Sequence, residues 1–190
     1  MQSPATRVVV WDPLVRIGHW ALVACVGIAW LTRTGGHDWH ERFGYATLAI
    51  VALRLLWGFT GPGTARFSAF VRSPASTLGY AKLVLAAREP RYLGHNPLGG
   101  WMIAALLFII VLVGLSGWLY TTEAYWGVKW VAELHETLSD VLMGLIALHL
   151  AGVALASCRH RENLVAAMLH GRKRAEQCQS GRISTQQEHS

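Results

Sequence analysis

Residues 133–150 read ELHETLSDVLMGLIALHL, and the two histidines in that run, His135 and His149, decide how the chain is built. They lie 14 positions apart, close to four helical turns, so they share one face of a helix about 21 Å apart along its axis. The residues between them are mostly Leu, Val, Ile, Met, Gly and Ala. A bilayer hydrocarbon core of roughly 30 Å needs about 20 such helical residues. An ionisable side chain inside one is costly to bury and therefore informative.

Working outward, four apolar stretches are long enough, or nearly so, to cross a membrane: 14–32, 40–59, 101–120 and 134–157. Only the third is free of His or Arg. The expected fold is an all-α integral membrane protein, a four-transmembrane-helix bundle over residues 8–174, with 175–190 as a disordered tail rich in Gln, Ser and Glu. Composition agrees. The 190 residues are 53% hydrophobic and 15% charged, with mean hydropathy +0.32, against roughly 25% charged for soluble domains. Of nine Trp, many sit at the edges of the apolar runs, where an indole prefers the headgroup layer.

The net charge of +6 and pI near 9.7 do not point to nucleic acid, because the basic residues form no aromatic-interleaved patch. They fall instead in alternate connections. Arg7 and Arg16 precede the first span, Arg66, Arg72, Lys82, Arg88 and Arg91 join the second to the third, and Arg159, Arg161, Arg172, Lys173, Arg174 and Arg182 follow the fourth. The two short connections carry Arg33, Arg42 and Lys129 against Asp38, Glu41, Glu123, Glu133 and Glu136. The positive-inside rule then puts both termini in the cytoplasm of a cell with this protein in its inner membrane. In the long connection, residues 76–88 form a candidate amphipathic helix lying in the interface, and 163–170 a second. The N-terminus lacks an A-x-A-like cleavage site and is expected to be retained.

Of nine His, four form a set. His19 falls toward the cytoplasmic end of span one, level with His149. His40 opens span two at the opposite side, level with His135. A lone membrane histidine is more often an interhelical contact or a proton relay, but two pairs matched at two depths are what two six-coordinate b haems require. A single zinc ion would need its ligands to converge, which the separation of about 21 Å along one helix forbids. No C-x-x-C-H is present to attach a haem covalently, and Cys25, Cys158 and Cys178 have no metal-like spacing. His37 is an alternative to His40. His95, His160, His170 and His189 are expected in solvated loops or tail. Arg54, deep in span two, is expected either to face a haem propionate or to snorkel to the headgroups; Arg16 and Arg42 are weaker candidates for the same role. Gly18, Gly44 and Gly152 beside the ligand positions would admit a flat macrocycle, or equally a neighbouring helix.

These residues carry a resemblance. WDPLVRIGHW at 11–20, HERFGY at 40–45, RLLWGFTGP at 54–62, GHNPLGG at 94–100, ELHE at 133–136 and the later His149 together resemble the prokaryotic cytochrome b561 family, which shares its fold with the b-type cytochrome subunits of nickel–iron hydrogenases. The resemblance implies His19, His40, His135 and His149 as haem ligands and a quinone as electron partner in the membrane. It also implies a separate redox protein, such as a cytochrome c or a hydrogenase. The main expectation is transmembrane electron transfer between the quinone pool and that partner. The rivals are a superoxide:quinone oxidoreductase, known in the family, and a non-redox transporter with histidine proton relays. Five carboxylates on the outer connections argue against steering of an anion.

Overall fold

The computed structural model of the chain describes residues 7–92 and 94–174. The tail expected at 175–190, with Cys178, Arg182 and His189, lies outside them. Four long helices cross the structure: α1 (Pro13–Leu31), α2 (His37–Thr60), α5 (Pro97–Thr121) and α6 (Lys129–His160). Each is long and apolar enough to span a membrane, which confirms the four-helix membrane bundle.

Helix starts are written locally. Asp12 precedes Pro13, and its carboxylate accepts from Leu14 N (2.9 Å) and Val15 N (3.1 Å). Asn96 precedes Pro97 and accepts from Gly99 N at 2.7 Å. Both pair a polar cap with a proline at the first helical position, where its missing N–H costs nothing. The ends of α6 and α2 outrun their apolar cores, and α6 stops only where Arg161 turns left-handed at φ 48°.

Between α2 and α5 the chain makes a 3-10 turn (Gly63–Ala65), the short helix α3 (Phe67–Phe70) and the helix α4 (Pro74–Leu85). Helix α4 matches the amphipathic segment expected at 76–88. It turns Tyr80 inward onto Tyr92, with ring centroids 5.5 Å apart, and leaves Leu78 and Leu85 exposed. Beyond α6, Asn163 caps α7 (Leu164–His170), which ends at Gly171 with φ 75°.

One element was not expected. Strands β1 (Arg7–Val9) and β2 (Arg172–Arg174) pair antiparallel, Val8 opposite Lys173, so the two ends of the described chain meet. Val10 N and Trp11 N both donate to Gly171 O.

The packing core lies around α5, where Val51, Leu107, Ile109, Ile110 and Leu142 are buried together. Helix α5 packs on α6 and α2, and α2 on α1, whereas α1 and α6 make at most slight backbone contact. Side chains of α1, α2 and α6 meet on the α5 core through Leu22, Val26, Leu55, Leu138, Leu145 and Ile146, and all four paired histidines belong to those three helices.

Candidate haem-binding site

At one end of the bundle, His40 of α2 and His135 of α6 face each other with ring centroids 5.9 Å apart. Their Nδ1 atoms are fixed by backbone. His40 Nδ1–H donates to Ala29 O at 2.9 Å, and His135 Nδ1–H to Val113 O at 3.0 Å, with Ser116 Oγ at 3.1 Å. Each imidazole is thereby held in the tautomer that keeps the Nε2 lone pair free, the arrangement typical of metal-ligating histidine. Two imidazole–metal bonds of about 2 Å on opposite sides of one atom bring ring centroids to roughly 6 Å, which the observed separation matches.

Gly117 belongs to this arrangement. A Cβ there would lie 3.0 Å from His135 Cε1 and 3.2 Å from its Nδ1, so glycine lets the ring lie close against α5 and a larger residue would push it by a few tenths of an ångström. Sequence reasoning passed over Val113, Ser116 and Gly117, since nothing marks them until α5 and α6 are placed side by side.

At the other end, His19 and His149 lie within electrostatic range of one another. His19 Nδ1 is buried without a hydrogen-bond partner among the described residues, as is Nη1 of Arg54. Arg54 sits with its guanidinium carbon 5.0 Å from the Phe67 ring centroid. A buried donor without an acceptor is rare enough to need an explanation. An anionic group at this end would supply one for Arg54.

The other candidates separate cleanly. His37 is exposed and meets Trp126 edge-on at 6.3 Å, away from His135. Arg16 donates through Nε to Met168 O at 3.2 Å and through Nη2 to Leu169 O, so it holds the C-terminal carbonyls of α7. Arg42 is exposed, 6.0 Å from the Trp39 ring centroid. Gly18, Gly44 and Gly152 have nothing within 4 Å of an added Cβ. They border open space and do not mark close helix contacts.

His95 is a correction. Expected in solvent, its ring is enclosed between Trp11 (4.5 Å) and Phe70 (5.1 Å). Burial, with the charges of Lys173 and Arg54 nearby, pushes its pKa down to about 3. It therefore stands neutral under the histidine pair, at the end closed by the β1–β2 ribbon. His160 is half-buried and His170 exposed.

Among the described residues no three His, Cys, Asp or Glu side chains converge as a bare metal ion would need. Four helices long and apolar enough to cross a membrane, with His40 and His135 brought within 5.9 Å of each other between two of them, define the class: a multi-pass helical membrane protein with histidines facing one another inside the bundle. The family model described as prokaryotic cytochrome b561 matches residues 10–171, and the chain belongs to that family. Its members carry b-type haem and move electrons across the membrane. No curated protein and no solved structure matches the chain.

Proposed function

We propose that the chain holds two b haems, one between His40 and His135 and one between His19 and His149, and exchanges electrons between the quinone pool and a separate redox protein. The observation that carries this is the opposed outer pair, both rings locked through Nδ1 to backbone carbonyls with Nε2 left for iron. A b haem with two imidazole ligands supplies a one-electron iron couple that favours electron transfer over oxygen chemistry.

The protein's own part is placement and exclusion. Helix α6 fixes the two sites about 21 Å apart along its axis, from the 14-residue spacing of its histidines. Leu138, Leu142, Leu145 and Ile146 of the same helix pack into the core between those depths and keep water from the path. Arg54 is the partner for an inner propionate. Arg16 is committed to α7, and Arg42 remains a minor candidate at the outer surface. The Lys and Arg bias places both termini in the cytoplasm. Domain limits of 8–174 fit the ribbon that joins Arg7–Val9 to Arg172–Arg174.

The superoxide reading gains no support from the outer surface. Lys129 is paired with Glu133 at 3.4 Å and Arg33 lies over the Trp30 ring at 3.9 Å, so two of its three cations are already engaged. The test of the main reading is stoichiometric. A pyridine haemochrome of the purified chain is expected to give two protohaems, and His149→Ala one, with the outer spectrum intact. A single haem in the unaltered protein would end the proposal.

A further inference from the structure

An apolar groove of about 510 Å³ opens on the flank of α6 near its Arg-rich end, where α7 folds back. Pockets that take small molecules span roughly 300–1,000 Å³. Leu150, Val153, Ala154 and Cys158 of α6 form its wall, Val165 of α7 its lip, and Arg161 stands at its mouth. The wall residues recur at one helical face of a membrane-crossing segment, so acyl chains surround it. None of the four proposed haem ligands lines it.

Charge says which lipid. Glu162, the acidic member of the lining, is already engaged by Arg91 at 2.9 Å and Lys173 at 3.9 Å. Arg161 has no ion-pair partner among the described residues, and its left-handed backbone at φ 48° swings the chain out of the helix at the level of the groove mouth. A cation at headgroup depth above an apolar channel is complementary to a molecule with one anionic end and a hydrocarbon body. We propose that this groove is a binding site for an anionic glycerophospholipid, its acyl chain along Leu150, Val153 and Ala154 and its phosphate at Arg161.

The test uses the full haem-loaded chain in vesicles of equimolar phosphatidylglycerol and phosphatidylcholine, followed by native mass spectrometry of retained lipid. One basic side chain near a membrane surface favours anionic lipid about five-fold, and that enrichment of phosphatidylglycerol is expected. Arg161→Gln is expected to bring it close to unity, and Ala154→Phe to lower retained lipid of both kinds. Arg172→Gln, an exposed cation at the same end, is expected to leave the enrichment in place. Unchanged haem absorption in each variant certifies the fold. Equal retention of the two lipids overturns the proposal, as does enrichment that survives Arg161→Gln. Loss that is the same in Arg172→Gln assigns the effect to the surface field alone and also overturns it. A disulfide-linked dimer through Cys158 in vesicles would put a second copy in the groove and do likewise.

Discussion

Replacing His95 with Phe removes a titrating group from a site that already holds two aromatic rings, and its effect on stability depends on pH in a calculable way. Unfolded, the imidazole titrates near 6.5; folded, it is pushed down to about 3. The unfolded chain therefore binds the proton more readily, and stability falls as the pH drops below 6.5 until the folded ring itself protonates near 3. Each unit of difference is worth about 1.36 kcal/mol. At about pH 5 the unfolded state gains roughly 1.5 units of proton binding that the folded state does not, a loss of about 2 kcal/mol relative to pH 8. For a domain of this size that is about 4–8 °C in midpoint temperature.

The assay is thermal unfolding of the detergent-solubilised protein at both pH values, for the unaltered chain and for His95→Phe. The difference between the two proteins isolates this histidine from every other titrating group. Phe keeps the contacts with Trp11 and Phe70, so the variant is expected to be less sensitive to acid by that margin. Equal acid sensitivity in the two proteins would refute the enclosure of His95, since a solvated imidazole contributes no such slope.

Three further outcomes are expected. Gly117→Ala puts a methyl group 3.0 Å from the His135 ring, and the purified variant should lose outer-site haem absorption while keeping the inner; full retention of both would contradict the close approach of α5. Arg54→Gln removes the half-buried cation whose buried Nη1 has no partner among the described residues, and a redox titration should move the inner midpoint to a lower potential with the outer unmoved. A C-terminal alkaline phosphatase fusion should be inactive and a fluorescent-protein fusion bright, with the reverse pattern placing the termini outside.

The bundle is legible in the sequence because membrane helices announce themselves one at a time, by length and apolar composition. The pairing of His135 with His40 is legible for a related reason: depth along a helix is simple arithmetic once the spans are known. The same arithmetic does not separate His37 from His40, three positions apart. That choice rests on which ring reaches across to α6 and which meets Trp126. His95 is misread because the GHNP stretch that holds it looks like a solvated loop until Trp11, 84 residues earlier, closes over it. Arg16 likewise reads as a free charge until α7 brings Met168 and Leu169 beneath it. Each of these depends on contacts across more than 80 residues, for which local patterning carries no signal.

The ribbon between β1 and β2 also sets the order in which the molecule is finished. Val9 emerges from the ribosome early and its partner Arg172 comes 163 residues later, an interval of roughly 10–30 s at ~5–20 residues per second. Through all of that time the first strand has no mate, and neither Lys173 nor Gly171 is present to hold Trp11 in place. That end of the bundle therefore stands ajar until residues 172–174 have been made, and those three residues are the ones that shut it.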